Sequence, residues 1–506
     1  MNPYVKTIFR DLGLLLHIPG AMALISVLVS LAWGEVYAVR PFVVTAIATF
    51  VTGQVFYQQC KQPKSLKMRH AMAIAALGWL IIPLFAAIPF LMIATKLAAS
   101  ADTGATVLFF QKPWNAVFEA FSGFTSAGLT MAVQASELPH CLQWWRSLMQ
   151  WVGGVGVIVL VISVLEPSTD PYQLYSAEGR SKTIGLTVRA TVRKIWWIYL
   201  LYTIASIMLL RVAGMGWWDA LNHGMTGIST GGFSTQDKSL GSFSPTVQIA
   251  AIPIMILGAV SFAIHYKVLR YGRIKALWKN SQHRALVILL FLGTLLLLLA
   301  NYSLDNSWLW RDTIFQWASA LGTCGFGSTD IKGWSDSAKL LLTMAMFIGG
   351  TAGSTVGGLK LQRAVVLYKA VLWRFQRLRI KPHQMMRFKL DGEVLTEAEA
   401  SRQVEGAAAL ALLWLGMVIM GTFVLLQLAL PAHTLIDVIF EVTSALGSVG
   451  LSTGITSPAL QWPGKLALIM FMWMGRLEII PVLVLISACL KPLAIRPPAS
   501  RRLRKK

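Results

Sequence analysis

Acidic residues are scarce in this chain of 506 residues, which has 22 Asp and Glu against 45 Lys and Arg and a net charge of +23. In a soluble protein such an excess would indicate nucleic-acid binding. Here the basic residues fall between long apolar runs, and 55% of all residues are hydrophobic. Apolar runs of about 20 residues match the thickness of a bilayer core. The composition therefore favours a lipid bilayer as the partner and argues against nucleic acid.

Cysteine is rare as well, and its spacing fits no disulfide framework, zinc site or redox pair. The eight histidines are scattered, and no cluster of acids, bases or nucleophiles indicates catalysis at membrane depth. We therefore expect neither an enzyme nor an organic cofactor. The first apolar run, residues 12–33, lacks a small-residue cleavage pattern, so we expect a retained span and not a signal peptide. The cysteines are Cys60, Cys141, Cys324 and Cys489.

The alternation of apolar runs with basic connections predicts an all-α polytopic membrane protein. By the positive-inside rule the basic connections are cytoplasmic, so each later pair of runs enters and leaves on that side. Parallel units of this kind can close around one axis and form a central pore, whereas inverted repeats would indicate a rocking transporter. The runs pair as 12–33 with 42–57, 71–97 with 142–165, 195–212 with 247–268, 285–301 with a run from about 340, and 407–430 with 466–490.

The predicted division of the chain is one N-terminal hairpin and four pore units with pseudosymmetry. The hairpin covers residues 1–66. The pore units cover residues 67–180, 181–282, 283–402 and 403–506. The third unit contains an intramembrane loop, and the fourth ends in a basic cytoplasmic tail.

A short motif lies between the two runs of each pore unit. It begins with Asn or Asp, has hydroxyl residues six and two positions before a glycine, and continues with an apolar residue. One copy would be explained by close helix packing of small residues, but four copies in one register indicate a repeated structural unit. The glycines are Gly128, Gly232, Gly325 and Gly450, and the first residues are Asn115, Asp219, Asp312 and Asp437.

This motif predicts a short re-entrant helix that favours a cation. The Asn or Asp stands where an N-cap is expected, and the partially negative C-terminal end would point at the axis. The loop carbonyls could then replace the hydration shell of an ion. We expect the hydroxyl six positions before the glycine to bond a neighbouring helix, and the one two positions before it either to add ligands or to hold the loop. The Asp residues could also concentrate cations at the outer mouth, although capping is favoured.

The four Ser/Thr-x-Gly loops resemble those of the TrkH/TrkG/KtrB superfamily of potassium transport proteins, and the extra hairpin resembles the TrkH/TrkG branch. The resemblance extends from residue 66 to the end of the chain. It implies potassium uptake across a bacterial inner membrane, a homodimer and a TrkA-type cytoplasmic partner that binds nucleotides. The implied filter residues are Thr125, Ser126, Ala127, Gly128, Ser229, Thr230, Gly231, Gly232, Gly322, Thr323, Cys324, Gly325, Gly447, Ser448, Val449 and Gly450.

A glycine-rich stretch interrupts the second run of the third unit. Five glycines in ten residues cannot form a good straight helix. A phosphate-binding loop is excluded, because Lys360 comes one position too late and no strand precedes it. A helix-packing patch is the alternative, whereas the resemblance implies a loop that blocks the path below the filter. The glycines are Gly349, Gly350, Gly353, Gly357 and Gly358.

Arg476 lies near the middle of the last apolar run, where a charge is costly and usually faces a partner or a cavity. Glu478 is two residues away and cannot share its helix face, so the partner is expected on another element. The resemblance implies a gating role for the positive charge. The alternative is a structural ion pair with a carboxylate.

Two other function classes stay open from the sequence. A proton- or sodium-coupled symporter could use the same scaffold. A non-conducting membrane sensor or enzyme would need a cluster of catalytic residues, and His223 is the only histidine near the proposed path. The basic segment of residues 360–402 either obeys the topology rule or docks a soluble regulator.

Overall fold

The described chain is mostly helical, which confirms the predicted fold class. The computed structural model describes residues 3–58, 68–100, 103–156, 187–301, 309–379, 386–428 and 433–490. The end of the predicted run 142–165 and the basic tail of residues 491–506 lie outside these ranges. One departure from an all-α fold is a small antiparallel hairpin of strands β1 (Phe388–Leu390) and β2 (Glu393–Leu395) in the basic segment.

The helices follow the predicted order of one hairpin and four units. They are α1 (Pro3–Ala32), α2 (Val39–Gln58), α3 (Met68–Ala86), α4 (Ile88–Leu97), α5 (Ala105–Phe109), α6 (Pro113–Phe124), α7 (His140–Val155), α8 (Val188–Val212), α9 (Trp217–Ile228), α10 (Pro245–Ala259), α11 (Phe262–Tyr271), α12 (Lys275–Lys279), α13 (Ser281–Ala300), α14 (Leu309–Leu321), α15 (Asp336–Ile348), α16 (Leu361–Arg379), α17 (Glu397–Leu426), α18 (Leu435–Gly447), α19 (Trp462–Arg476) and α20 (Ile480–Leu490). Short 3-10 turns cover Val36–Ala38, Ala135–Glu137 and Ser239–Ser242.

Six helices among the described residues are long and apolar enough to cross a membrane, and two bent helix pairs would raise the number to eight. Between the first and second helices of each unit lies a further short helix, which is α6, α9, α14 or α18. At 12 or 13 residues these helices are about 18–20 Å long, too short for a bilayer core. They lie inside the bundle, where Phe118, Phe315 and Phe440 are fully buried.

The second helix of each unit is short, and this corrects the prediction of continuous runs at 247–268 and 466–490. α7, α10, α15 and α19 end after 13 to 16 residues. The chain bends by 103° between α10 and α11 and by 113° between α19 and α20. The first bend occurs because Val260 is extended. At the second bend, Glu478 and Ile479 both have positive φ, so the helix cannot continue.

The N-terminal hairpin packs through glycines. A Cβ atom on Gly53 would lie 2.9 Å from the carbonyl oxygen of Gly13, so only small residues permit this approach of α1 and α2. The turn between them carries Glu35, whose carboxylate accepts hydrogen bonds from the backbone N–H groups of His140 and Cys141 at 2.8 Å. A carboxylate at a helix N-terminus is favourable, so Glu35 anchors the hairpin to α7.

Gly293 in α13 provides a test of this packing, because an added Cβ would overlap the indole ring of Trp317 in α14. The Trp317 Nε1–H donates to Leu289 O at 2.8 Å, which limits its movement. We expect Gly293→Ala to lower the free energy of unfolding by about 1–3 kcal/mol, measured by thermal or chemical unfolding in detergent. In the control Gly416→Ala the Cβ meets open space, and the change should be neutral or stabilising. Equal stability of the two variants would contradict the packing.

Candidate functional site where four loops meet

The loops that follow the four short helices meet at one place. A Cβ atom built on Gly450 would lie 2.7 Å from Ala127 O and 2.8 Å from the Cα atom of Gly128. Each of the other three glycines likewise faces the backbone of the next loop, so the contacts close a ring in chain order. They run from Gly128 to Gly231, from Gly232 to Cys324, from Gly325 to Val449 and from Gly450 to Ala127.

Two residues in each loop have a left-handed backbone conformation. The four ring glycines have φ between 77° and 101°, which glycine adopts without steric cost. The hydroxyl residue two positions earlier also has positive φ, between 45° and 55°. Such a conformation costs of order 1–3 kcal/mol in a non-glycine residue, and the sequence did not predict it. The four residues are Ser126, Thr230, Thr323 and Ser448.

The same hydrogen bonds end each short helix. The N–H of the residue before the ring glycine donates to the carbonyl five residues back at 2.8–2.9 Å, and the N–H of the left-handed residue donates to the carbonyl three residues back at 3.0–3.2 Å. This is the Schellman arrangement, in which glycine usually holds the left-handed position. The carbonyl groups that accept the bond from five residues later belong to Ser122, Thr226, Ser319 and Ser444. The residue six positions before each ring glycine therefore helps to end its own helix.

Several hydroxyl groups of the motif hold the loops, whereas those of Ser122, Ser319 and Ser448 have no hydrogen-bond partner among the described residues. Thr226 Oγ1 donates to Phe233 O at 2.9 Å, and Ser444 Oγ accepts from Gly450 N at 3.1 Å. Both bonds stay within one motif, which corrects the expected bond to a neighbouring helix. Ser126 Oγ donates to Gln150 O at 3.3 Å. The described contacts thus agree with the alternative in which hydroxyl groups hold the loop.

The Asn and Asp residues that begin the motifs lie inside the helices, so the N-cap prediction is wrong. Asp437 is the third residue of α18 and forms a capping box with Thr434. Its carboxylate also binds Lys339 Nζ at 2.9 Å, and Asn115 Oδ1 accepts from Lys465 Nζ at 2.6 Å. The residues at the N-cap positions of α6, α9 and α18 are Lys112, Gly216 and Thr434.

The two lysines belong to a column at the fourth position of the second helices, which joins consecutive units. Lys339 reaches from the third unit to the fourth, and Lys465 from the fourth to the first. In the first unit Gln143 Oε1 accepts from Trp218 Nε1 of the second unit at 2.7 Å. Three of the four junctions around the ring therefore carry a polar contact from this column.

A second polar column, nine residues before each ring glycine, is fully buried. The sequence analysis named only its member His223 and did not find the column. Glu119 accepts from Met131 N at 2.7 Å and pairs with Arg146 at 2.7 Å. Glu441 accepts from the N–H groups of Thr453 and Thr456 at 3.0 Å. The column could have been found by aligning the copies, because all four members are polar within apolar helices. Its members are Glu119, His223, Gln316 and Glu441.

These side chains clamp the chain that leaves each ring glycine. His223 Nε2 bonds Ser234 Oγ at 2.8 Å, and Gln316 Nε2 donates to Thr329 O at 3.2 Å. A further clamp comes from Gln150, whose Nε2 donates to Gly231 O at 2.6 Å. The carbonyl oxygen of Gly231 uses one of its two lone pairs for this hydrogen bond. Gln150 is another site residue that the sequence reasoning missed.

The glycine-rich loop lies directly beneath the ring. Its ends meet, since Lys360 N donates to Ile348 O at 2.9 Å. Gly357 N donates to Thr323 Oγ1 at 2.9 Å. Thr355 Oγ1 donates to Gly258 O at 3.0 Å and lies 3.2 Å from Thr230 Oγ1. The loop therefore contacts the left-handed hydroxyl residues of two ring loops. Within the loop, Gly349, Gly353 and Gly358 have positive φ, whereas Gly350 and Gly357 do not.

Arg476 is the last residue of α19 and so lies at the bend, which corrects its predicted place within a continuous helix. The expected partner on another element is present. Its guanidinium donates to Thr355 O of the glycine-rich loop at 3.3 Å and to Gly153 O and Gly154 O of α7 at 2.5 and 2.9 Å. Glu478 binds Lys360 Nζ at 2.7 Å and also Arg363.

One space adjoins the ring, and a smaller one adjoins the glycine-rich loop. A depression of about 710 Å³ reaches Gly325 and Gly450 from the side of the outer loops. On the opposite side, a space of about 20 Å³ lies between the glycine-rich loop, Trp79 and Arg476. The smaller space has room for about one water molecule.

Comparison with known proteins gives the same architecture. The TrkH family model, described as a cation transport protein, matches residues 40–492. The chain belongs to the TrkH family. An uncharacterized cation transporter of Methanocaldococcus jannaschii is 33% identical over 486 residues, covering 96% of this chain and 95% of the relative. The Trk system potassium uptake protein TrkH of Vibrio parahaemolyticus is 31% identical, covering 95% of this chain and 98% of that protein.

The crystal structure of the potassium transporter TrkH from Vibrio parahaemolyticus matches this fold with a TM-score of 0.80 at 28% identity, covering 95% of this chain and 98% of that one. The resemblance predicted from the loop motifs is therefore confirmed. As a TrkH family member with several membrane-crossing helices, the chain is a transport protein and not an enzyme, and it is a multi-pass protein of the inner membrane.

The second polar column (Glu119, His223, Gln316 and Glu441), which we call the clamp column, leads to a prediction about stability. In Glu441→Gln, an amide NH₂ group would face backbone N–H donors, leaving at least one buried donor unsatisfied. We expect the free energy of unfolding to fall by about 1–3 kcal/mol, measured by chemical unfolding in detergent. The control is Glu405→Gln, an exposed position on α17, which should change stability by less than about 0.5 kcal/mol. Identical unfolding curves would show that Glu441 does not clamp the loop.

Proposed function

We propose that the chain takes up potassium across the inner membrane through the four-loop ring. The observation that supports this proposal most directly is the closed ring of four glycine contacts at the C-terminal ends of four buried helices. Potassium is the cargo in this proposal, and no organic cofactor takes part. The proposed filter consists of Thr125–Gly128, Ser229–Gly232, Gly322–Gly325 and Gly447–Gly450, each contributed by one of the pore units 67–180, 181–282, 283–402 and 403–506.

The electrostatics of the ring support a cation. The C-terminal end of each short helix carries a partial negative charge, and carbonyl oxygens can replace the water around a desolvated monovalent ion. The third filter residue differs among the loops, as Ala127, Gly231, Cys324 and Val449. Ala127, Cys324 and Val449 are fully buried against the scaffold, so backbone selection by a ring with only approximate fourfold symmetry tolerates these differences.

The glycine-rich loop is the proposed gate, with Gly349, Gly350, Gly353, Gly357 and Gly358 as its pivots. Three observations support it: its contacts with Thr230 and Thr323, its attachment to Arg476, and the space of about 20 Å³ beside it. The fixed guanidinium charge would raise the barrier to a cation while the loop is in place.

The proposal also covers regulation and assembly, which are inferred from the family resemblance alone. The proposed assembly is a homodimer with a TrkA-type ring on the cytoplasmic side. That ring would bind nucleotides and act on the gate. The exposed arginines of α16 (Arg374, Arg377 and Arg379) supply a surface of suitable charge at the far end of the helix that follows the glycine-rich loop.

Purified protein in liposomes tests the transport proposal directly. Rubidium uptake should occur and should be inhibited by potassium far more than by sodium. Current–voltage curves then decide between a channel and a coupled symporter. A reversal potential that ignores the proton and sodium gradients indicates a channel, and one that follows either gradient indicates a symporter. No flux under either condition would contradict the proposed function.

Gly450→Ser should raise the sodium-to-potassium permeability ratio. The new side chain would meet Ala127 O and the Cα atom of Gly128 and would distort the ring. We expect a change of at least roughly tenfold, equivalent to about 1.4 kcal/mol of lost discrimination, in bi-ionic current or uptake measurements. The matched control is Gly454→Ser, with φ of 94° against 101°, where the added Cβ meets open space. An unchanged ratio in Gly450→Ser, or an equal change in both variants, counts against the filter assignment.

Arg476→Ala should raise basal ion flux, because the glycine-rich loop loses an anchor at Thr355 and the path loses a positive charge. The control is Arg211→Ala; Arg211 also binds a main-chain carbonyl, Met215 O at 3.1 Å, but lies at the end of α8. Flux per reconstituted protein should increase several-fold only in Arg476→Ala, by roughly 1 kcal/mol or more of lowered barrier. A variant that merely fails to accumulate would point to a structural role.

A further inference from the structure

An open groove lies where the chain turns away from the bundle after α10. It has a volume of about 1350 Å³ and is bounded by α10 and α11 on one side and by α12 and α13 on the other. The bend of 103° between α10 and α11 creates it. Most of the groove lining is apolar and includes Ile256, Val260, Ile264, Leu286 and Leu290. Buried His265 and His283 also line it.

The rim of the same groove is basic and carries exposed apolar side chains. Lys275, Lys279 and Arg284 line it, and Trp278 is 60% exposed between the two lysines. Arg284 and Leu290 are separated by about 9 Å along α13, so positive charge lies at one end of the groove and apolar surface at the other. An exposed tryptophan beside lysines at the end of a spanning helix is typical of the bilayer interface.

We propose that this groove binds an anionic phospholipid, with an acyl chain against α10 and α13 and the headgroup phosphate at Lys275, Lys279 and Arg284. Basic pockets between helices on the cytoplasmic side suit such headgroups. The rim also contains Asp391 and Glu393. Asp391 Oδ1 already accepts from Ser281 N at 2.6 Å, so its charge is directed at the start of α13. The three cations outnumber these two carboxylates.

This lipid site is separate from the ion path and goes beyond the proposed transport function. Its occupant is a membrane lipid because the groove combines a long apolar wall with a cationic rim at one end. An ion would leave the apolar wall uncovered. A second copy of the chain would have to supply both an apolar segment and a matching acidic group.

The test is lipid retention measured by native mass spectrometry. The full chain is reconstituted in equal amounts of phosphatidylglycerol and phosphatidylcholine, extracted in detergent, and compared with the triple variant Lys275→Gln, Lys279→Gln, Arg284→Gln. We expect the preference for phosphatidylglycerol to fall by at least roughly tenfold, since each basic group contributes to the attraction. The control removes equal charge from exposed positions of α16, as Arg374→Gln, Arg377→Gln, Arg379→Gln, and should keep the preference.

A second variant keeps the proposal testable if the triple variant does not fold. Val287→Trp would fill the groove and should reduce retention of phosphatidylglycerol while leaving the rim charges in place. Equal retention in the parent chain and in both groove variants overturns the lipid site. Dissociation of a dimer by Val287→Trp, measured by light scattering with unchanged lipid retention, would also overturn it and would identify the groove as a contact between copies. Neither readout depends on ion flux.

Discussion

Backbone-to-backbone contact at four glycines is the constraint on which the rest of the structure depends. At each of these positions a Cβ atom would occupy the place of a carbonyl or an α carbon from the next loop. The ring can therefore close only if four separate parts of the chain present glycine at the same depth with positive φ. Everything around the ring serves to hold that backbone in place, because the loops themselves have few apolar side chains with which to pack.

Two sets of buried polar groups hold the backbone of the ring in place. The Schellman hydrogen bonds fix the end of each short helix, and the clamp column of Glu119, His223, Gln316 and Glu441 fixes the chain after the glycine. Hydrogen bonds in such a low-dielectric interior are strong when complete and costly when one partner is lost. Each ring glycine is therefore held by hydrogen bonds to the chain segments before it and after it. The glycine-rich loop beneath the ring is held by hydroxyl groups, by Arg476 and by backbone hydrogen bonds to the end of α10, such as Thr351 N to Ala259 O at 3.1 Å.

The register of glycines and hydroxyl groups predicted the four loops, their order and the family, because repetition reveals positions where only a few residue types are tolerated. The bend after α10 was not predictable in the same way, since Val260 carries no helix-breaking signal. The bend after α19 had a signal that the sequence analysis did not use: Pro481 follows Ile479 by two residues and is unfavourable inside a continuous helix. The left-handed backbone conformation of the serines and threonines in the ring loops was also not predicted, since these residue types adopt ordinary backbone conformations elsewhere.

The contact between Lys465 and Asn115 joins residues that are 350 positions apart. During synthesis on the ribosome, the first loop emerges long before the helix that will complete its junction. The nascent chain must therefore hold Asn115 and the first ring glycine without their final neighbours while three further units are translated and inserted. The last junction can form only when nearly the whole polypeptide is in the membrane, so a truncated product lacks a finished ring whatever the state of its earlier helices.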